Sequence, residues 1–577
     1  MRDPVRIGNA HGFWGDRIEA AAEMLASEPE LDFITLDFLA EVSLSIMAAQ
    51  RERDPQAGYA DDFIQVLETL VPYFQQGGRC RMVTNAGGLN PLGCAIASQR
   101  LLQRTNCPEK KIAVIAGDDV MTLLTCDSNR EQLRNLDTRQ SIDAVEEHLL
   151  TANAYIGASP IAQALSRGAD LVIAGRVADP SLTVGPCLAH FGWDPDDYNR
   201  IAGATVAGHL IECGTQVTGG ISTDWLRVPE SSRIGFPIAE VSQDGTCVIT
   251  KPNGSGGWVN ESTVKEQLLY EIGDPDAYLS PDAIVSLKSV QVRQIGADRV
   301  CISGARGLPP PPNLKVSATY HAGYWAAAQL SIIGQQAHEK ACRAGAGVLQ
   351  RLADAGLTFQ NSCVDVIGSH EFSEVVMRLA VADRSRNHVE RFCRSVMPLI
   401  TAGPPGTTGY AFGRPKVHSL IRYWPCLIAR DQLEIEVSFL PQSDTDTAEG
   451  PPPSPARPSA TAAVRSSPDV TTSTREATGR LVDVALARSG DKGINANLGV
   501  IARRPGDYPQ LESWLTAARV AEHFGVDPLT VRRFEMPNLD ALNFVLSGML
   551  LNPIALDAQG KALGQKLLQI PLPEAWT

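Results

Sequence analysis

Carboxylate side chains follow two apolar runs, at positions where proton transfer could take place. Asp37 and Glu41 stand four residues apart in "DFLAE", and Asp179 follows the run "DLVIA" within "AGRVADPS". If residues 37–41 are helical, Asp37 and Glu41 share one face, and the crowding raises the pKa of one carboxyl. We therefore predict Asp37, Glu41 and Asp179 as catalytic acids or bases. The alternative for Asp37 and Glu41 is a pair of helix-start carboxylates favoured by the helix dipole.

Amides and glycines form a second kind of candidate, a cradle for an anion. In "TNAGGLNP", Asn85 and Asn90 flank Gly87 and Gly88 after another apolar run. Glycines let the backbone approach a ligand closely, and amide donors suit an oxyanion or a phosphate. We predict a substrate-binding loop here; the alternative is an ordinary turn.

Two further stretches indicate anion binding. Arg176, three residues before Asp179, offers a planar fork to a carboxylate or phosphate, unless the two residues form a local pair that holds the loop. Gly15 and Asp16 in "HGFWGDR" follow the apolar stretch "VRIGN". Such a turn places backbone N–H groups near an anion at a helix start, and the alternative is a tight turn capped by Asp16.

Other stretches indicate little chemistry. His209 and Glu212 stand one helical turn apart without a third ligand, so we predict no metal site. The acidic stretch 270–282 lacks the spacing of a calcium loop and is interpreted as a capped helix end and turn. The sequence has no Gly-x-Ser-x-Gly elbow, no His-Glu-x-x-His and no kinase signature, which argues against those enzyme classes.

The stretch "ALARSGDKGINANLGVIARR", residues 485–504, concentrates hydrogen-bonding groups between two apolar runs. The alternative, a hairpin-type turn, needs its glycines but not all of its charged and amide side chains. We therefore predict a loop that contributes to a shared anion site, with Lys492 as a catalytic cation. The predicted substrate-binding residues of this loop are Arg488, Ser489, Asp491, Asn495 and Asn497.

The elements that must position these residues alternate between strand and helix. The apolar runs at 31–40, 80–91, 111–120 and 160–186 alternate with helical spacing such as that of 61–78, which predicts a parallel or mixed sheet covered by helices. In such sheets ligands bind beyond the carboxyl ends of the strands, where the polar loops fall. Residues 225–330 are predicted to be β-rich. Near the end, strands and two helices (512–525 and "NLDALNFVLSG") predict a small α+β domain.

A Pro-, Ser- and Thr-rich segment, residues 442–476, has almost no large apolar side chain and is predicted to be a disordered linker. It divides the chain into a large α/β domain (1–441) and a small carboxyl-terminal domain (477–577). The small domain has ten basic and ten acidic residues, so the net charge of −14 belongs to the rest of the chain. Its lysines and arginines are therefore local positive charges and not part of a basic field that extends over the whole chain.

Composition narrows the partners. With a pI of about 5.3 and net charge of −14, we expect no nucleic-acid partner and a small-molecule substrate. No run of 18 apolar residues occurs, so no membrane span is expected, and nothing resembles a targeting signal. The twelve cysteines include no Cys-x-x-Cys pair and are interpreted as buried thiols of a cytoplasmic protein. A homo-oligomer is a further expectation.

Many of these motifs, in this order, resemble the acyclic terpene utilisation family (AtuA). The resemblance rests on "GFWGDR", "DFLAE", "TNAGGLNP", "IAGRVADPSL", "ECGTQVTGG", "ARSGDKGINANLGVIAR" and "RRFEMPNLDALNF". It implies a large amino-terminal domain and a small ferredoxin-fold domain. It assigns no established catalytic residue to this chain. It implies a place among enzymes of acyl-CoA and terpenoid or branched-chain acid catabolism, which leads us to expect a lyase or hydratase. The alternative is a non-catalytic acyl-CoA or organic-acid binding component of a carboxylase or transferase assembly. The cofactor stays open, and coenzyme A is expected only as part of the substrate.

Overall fold

The structure is a computed structural model that describes residues 4–40, 42–107, 109–125, 131, 133–410, 413–441 and 479–576. The predicted linker at 442–476 and the predicted catalytic residue Glu41 lie outside these ranges. We call residues 4–441 the large region and 479–576 the C-terminal region. Within the described ranges, no helix has both the length and the apolar character needed to cross a membrane.

A ten-stranded sheet forms the centre of the large region, and its strand order is β11-β12-β8-β7-β1-β2-β3-β6-β4-β19. Five neighbouring strands, β1, β2, β3, β6 and β4, run parallel, and the strands beyond them on both sides are antiparallel. The strands of this sheet are β1 (Val5–Asn9), β2 (Phe33–Leu36), β3 (Arg81–Thr84), β4 (Ile112–Ala116), β6 (Leu171–Ala174), β7 (Ile238–Val241), β8 (Cys247–Thr250), β11 (Gln291–Gly296), β12 (Arg299–Ser303) and β19 (Glu436–Phe439). The predicted α/β class with a mixed sheet is confirmed.

Helices cover both faces of this sheet. In β6, Val172 and Ala174 pack into one apolar cluster, whereas Leu171 and Ile173 pack into another on the opposite side. Strands buried on both faces read as continuous apolar runs, as these do. The helices of the large region are α1 (Ala20–Ser27), α2 (Ser43–Arg51), α3 (Asp62–Thr69), α4 (Val71–Gln75), α5 (Pro91–Arg104), α6 (Met121–Thr125), α7 (Ser159–Ser166), α8 (Ser181–Phe191), α9 (Tyr198–Ile211), α10 (Glu261–Leu268), α11 (Ala337–Asp354), α12 (Arg386–Val396) and α13 (Leu399–Ala402).

Two antiparallel sheets complete the large region. One is built around the 21-residue strand β14, which pairs with β16 and β18 and, near its start, with β5. The other is small, in the order β13-β10-β9. Their strands are β5 (Leu149–Ala154), β9 (Tyr278–Leu279), β10 (Ile284–Ser286), β13 (Arg306–Leu308), β14 (Asn313–Ile333), β15 (Asn361–Ile367), β16 (Glu374–Asp383), β17 (Thr407–Thr408) and β18 (His418–Ala429).

The C-terminal region is a four-stranded antiparallel sheet with three short helices, in the strand order β20-β21-β23-β22. Its elements are β20 (Ala485–Lys492), β21 (Asn495–Ala502), α14 (Tyr508–Trp514), α15 (Ala517–Phe524), β22 (Val531–Met536), β23 (Ala541–Leu546) and α16 (Leu563–Leu567). The predicted small α+β fold is confirmed.

Three local predictions are wrong. The helix predicted for "NLDALNFVLSG" is the central strand β23, whose six residues are all buried, and a short apolar run does not distinguish the two states. Residues 488–497 are not a loop: they belong to the β20–β21 hairpin, which turns at Gly493 and Ile494. Asp37 is not helical, because α2 begins only at Ser43.

The large and C-terminal regions share one apolar core. Leu486, Ile501 and Met536 belong to the same buried cluster as Leu269 and Ile272, which follow α10. Ion pairs border this contact: Arg503 binds both carboxylate oxygens of Asp224 at 2.8 and 2.9 Å. The C-terminal region is therefore fixed against the large region by apolar packing as well as by charge.

Cysteine burial is mixed. Cys94, Cys187 and Cys247 are buried in apolar surroundings, whereas Cys342 is exposed. All the cysteines that the structure describes are free thiols.

Candidate functional site

A cavity of about 700 Å³ lies where the parallel strands end and the C-terminal region docks. Three of the polar residues that line it follow parallel strands: Asp37 after β2, and Arg176 and Asp179 after β6. Asp491 and Lys492, at the end of β20, line it from the other side. The cavity thus lies where open α/β sheets bind ligands and at the contact between two regions, two common places for a ligand site.

Asp37 is a buried carboxyl in this cavity, and Asn85 after β3 holds it. Its Oδ1 accepts hydrogen bonds from the Asn85 side-chain amide at 2.7 Å and from the backbone N–H of Leu39 at 3.1 Å. Burial raises the pKa of Asp37 well above its ordinary value, the charge of Asp179 adds to this, and Arg176 opposes it. The site therefore favours a protonated Asp37 that can donate a proton.

Arg176 forms a pair with Asp179, so the local pair considered above is present. The guanidinium is 1% exposed and also donates to the carbonyls of Leu39 at 2.7 Å and Val177 at 2.6 and 2.9 Å. Enclosure by the cavity raises the pKa of Asp179, and the ion pair with Arg176 opposes that shift. Arg176 thus mainly binds groups of the protein itself. Asp179, whose side chain is 34% exposed, is the member of the pair that a ligand can contact.

His209 and Glu212 form a second pair in the cavity wall. The Nδ1 atom of His209, in α9, lies 3.1 Å from Oε1 of Glu212. Burial, together with the charge of Lys492, lowers the pKa of His209 to about 4. Burial and the charges of Asp179 and Glu271 raise the pKa of Glu212 well above its ordinary value. The pair is therefore stable as a neutral imidazole beside a protonated carboxyl.

Lys492 brings a cation from the C-terminal hairpin to these carboxyls. Its charge acts on Asp179, Glu212 and His209. Within the described part of the chain, its ammonium has no ion-pair partner within 4 Å. A cation that faces a cavity without a fixed partner suits an anionic or developing oxyanion group of a ligand.

Apolar side chains form the rim of the cavity. Phe13, Val42, Ile221 and Leu279 line it and are all exposed. Exposed apolar groups that surround polar groups mark a site for a ligand that is apolar at one end and polar at the other.

The chain matches two family models. The model described as "Acyclic terpene utilisation family protein AtuA" matches residues 5–439, and the one described as "AtuA ferredoxin-like domain" matches residues 479–573. The chain belongs to the AtuA family. Sequence comparison finds no curated protein that matches it. The ferredoxin-like fold expected for the C-terminal region is confirmed.

The cavity lies between the two AtuA regions and includes some of the predicted site residues. Those that line it are Asp16, Asp37, Arg176, Asp179, Asp491 and Lys492. Asp16 also accepts a hydrogen bond from the backbone N–H of Gly12 at 3.1 Å, which holds the turn after β1 rather than capping α1, which begins only at Ala20.

Other predicted residues lie behind the cavity wall, and a direct role in binding remains a prediction for them. Asn90 caps α5, and Gly87 and Gly88 pack against Pro91 and Met47. The others do not line the cavity and contact other residues: Gly15 lies beside Phe13, Arg488 on Gln216, Ser489 on Gly564, Asn495 on Asp137, and Asn497 on Glu271 and Ile272.

Several cavity residues of this AtuA protein were not among the predicted site residues. They include Tyr155, Tyr270, Glu271 and Tyr278 from the large region and Lys561 from the C-terminal region. The stretch 270–282 is predicted as a capped helix end and turn, although its acidic residues are a sequence signal for Glu271. Among the residues that the structure describes, no group of three or more His, Cys, Asp or Glu side chains is placed to hold a metal ion.

Proposed function

We propose that this AtuA protein is an acid–base enzyme that hydrates or dehydrates an acyl-CoA of a branched or terpenoid acid. The observation that supports this most is the cavity that joins a buried, proton-holding Asp37 and the ion-paired Asp179 to the Lys492 ammonium. Two carboxyls whose surroundings differ are the usual basis for separate acid and base roles.

In the proposed reaction, Lys492 stabilises the negative charge that develops on the thioester oxygen. Asp179 removes a proton from water as the water oxygen bonds to the β-carbon of an enoyl thioester. Asp37 delivers its proton to the α-carbon, so one water is added across the double bond. Exchange of protons with solvent then restores both carboxyls, and dehydration is the reverse reaction.

The surroundings of Asp37 favour its role as the acid. Its Oδ1 accepts two hydrogen bonds from the protein, which leaves Oδ2 as the atom that carries the proton. The exposed rim at Phe13, Val42, Ile221 and Leu279 supports an apolar acyl chain as the other end of the substrate.

The test uses a β-branched enoyl-CoA and its β-hydroxyacyl-CoA hydrate, with products followed by mass spectrometry in heavy-oxygen water. The wild-type protein should incorporate the heavy oxygen into the hydrate. Asp37→Asn and Lys492→Met should each lower kcat by about 100-fold or more. Lys566→Met, which removes an exposed C-terminal lysine outside the cavity, is the matched control and should keep the wild-type rate.

Wild-type rates in Asp37→Asn and Lys492→Met would contradict this assignment of roles. Thermal stabilisation by the CoA ester without product would overturn catalysis and support the non-catalytic binding component instead.

A further inference from the structure

Two buried asparagines of the C-terminal sheet hold the backbone of residues 271–273. Asn497 accepts a hydrogen bond from the Glu271 N–H at 2.8 Å and donates to the Ile272 carbonyl at 3.0 Å. Asn543 donates to the Ile272 carbonyl at 3.0 Å and to the Gly273 carbonyl at 2.8 Å. The two side chains are also joined to each other at 2.6 Å. Such a buried, mutually satisfied amide pair fixes the backbone it binds.

Glu271 needs this support because its backbone is strained. Its φ of 58° lies in the left-handed region, which costs a non-glycine residue on the order of 1–2 kcal/mol. A strained conformation persists only where surrounding contacts determine it, and such residues cluster at functional sites. Glu271 lines the cavity.

The hairpin lies so close to Glu271 that only glycine fits at position 490. A Cβ atom there would lie 2.6 Å from the Tyr270 ring and 2.8 Å from Cγ of Glu271. The neighbouring Arg488 guanidinium lies 4.4 Å from the centre of the Tyr270 ring. Strand β20 thus packs directly against residues 270 and 271, in addition to the hydrogen bonds that Asn497 and Asn543 make to residues 271–273.

We infer that Asn497 and Asn543 are positioning residues that place the Glu271 carboxylate in the acid–base site. The inference rests on the proposed function. The Glu271 charge acts on both Asp179 and Glu212, where it favours the protonated carboxyls. Docking of the C-terminal sheet thus influences the protonation of Asp179, the proposed base, through Glu271 of the large region.

The chain offers a matched control for this role. Asn538 also lies between the two regions, and its amide donates to the carbonyls of Leu287 at 3.0 Å and Val290 at 2.8 Å. Its backbone partners do not line the cavity. Asn538→Ala therefore removes a similar pair of contacts without touching residues 271–273.

The first measurement, hydrogen–deuterium exchange of the full chain, needs no turnover. Asn497→Ala and Asn543→Ala should speed exchange of the amides at 269–276 by about 10-fold or more, whereas Asn538→Ala should not. Unchanged exchange at 269–276 in the two variants would show that the two asparagines do not hold this backbone, whatever reaction the protein catalyses.

The second measurement is the pH profile of kcat with the β-branched enoyl-CoA. Asn543→Ala and Glu271→Gln should lower kcat about 10-fold with little change in KM. The acid limb should move to lower pH, because Asp179 loses the Glu271 charge that favours its protonated form. Asn538→Ala should keep the wild-type profile.

The two measurements separate the possible failures. Faster exchange with an unchanged profile and rate would overturn the positioning of Glu271 for catalysis. Absence of product from the wild-type protein would overturn the proposed function and the catalytic part of this inference. The exchange result would still decide whether the two asparagines hold the backbone of residues 271–273.

Discussion

Buried carboxyls with incomplete charge compensation are the main residue-scale feature of this molecule. Asp118, which follows β4, is an example just behind the cavity wall. It accepts hydrogen bonds from the Arg176 backbone N–H and from the Asn153 side chain, both at 2.8 Å. Burial raises its pKa from 3.8 to about 6, because no cation pairs with it directly among the described residues. Asp118 therefore supports the loop that carries Arg176, and its contribution to the free energy of unfolding depends on pH.

Asp118→Asn should remove part of the pH dependence of stability. Since the pKa of Asp118 is about 6 in the folded protein and near 3.8 when unfolded, the folded state binds more protons between these values. Its contribution to the free energy of unfolding is thus greatest at low pH and falls as pH rises through about 6. Between pH 4 and 7, the free energy of unfolding measured by thermal denaturation should fall by about 2–3 kcal/mol less in the variant than in the wild-type protein.

Asp431→Asn, which changes an exposed aspartate, serves as the control and should follow the wild-type curve. An Asp118→Asn curve parallel to the wild-type one would contradict the prediction.

The sequence predicts some residues of the site better than others. Asp37 and Asn85 come directly after buried parallel strands, and Arg176 and Asp179 follow a third within five residues; the ends of such strands meet at one edge. Glu271 lacks that signal because it lies in a turn after α10 and is held by contacts from the C-terminal region, such as that with Asn497, 226 residues away. Such long-range contacts leave no local pattern in the chain.

At the scale of elements, the β20–β21 hairpin forms one wall of the cavity and also supports the adjoining turn. Gly490 and Gly499 both face the large region, where a Cβ on Gly499 would lie 2.6 Å from that of Leu269. The absence of side chains at both positions lets the hairpin pack directly on residues 269–271. The glycines at these positions are thus explained by close packing between regions rather than by turn geometry.

Gly490→Ala should destabilise the protein by about 1–3 kcal/mol, since the added methyl group overlaps Tyr270 and Glu271. Gly506→Ala is the matched control, because a Cβ there meets nothing within 4 Å. Denaturant midpoints of the two variants decide the prediction, and equal midpoints would show that the hairpin can shift without cost.

The limits of element prediction have a physical origin. Helix α15 and strand β22 follow from apolar spacing, as do the apolar parts of β20 and β21 on either side of the stretch 488–497, which is predicted as a loop. Strand β23 does not, because its apolar run "ALNFVL" lies at the centre of a sheet and is buried throughout. Such a run has no period that distinguishes strand from helix, so the tertiary neighbours decide its state.

At the scale of the whole molecule, the two regions share a core and should unfold together. Ile501 is 1% exposed and belongs to the apolar cluster that also contains Ile7 and Val172 of the ten-stranded sheet. Ile501→Ala should therefore cost about 2–5 kcal/mol. It should also weaken both regions at once, since apolar contacts that cross the boundary couple them.

Hydrogen exchange in mild denaturant can measure this coupling. Peptides from β1 and from β22 should show the same increase in opening in Ile501→Ala. A loss of protection confined to the C-terminal region would show that the two regions unfold separately.

The contact between the C-terminal sheet and the turn after α10 has a consequence for synthesis of the chain. Translation proceeds at roughly 5–20 residues per second, so the stretch after residue 441 takes on the order of ten seconds to emerge. During that interval the large region presents Leu269 and Ile272 to water, without the sheet that buries them in the finished protein. A nascent chain of this AtuA protein is therefore most prone to aggregate just before residues 479–576 fold, and a stop codon between residues 441 and 479 would make that state permanent.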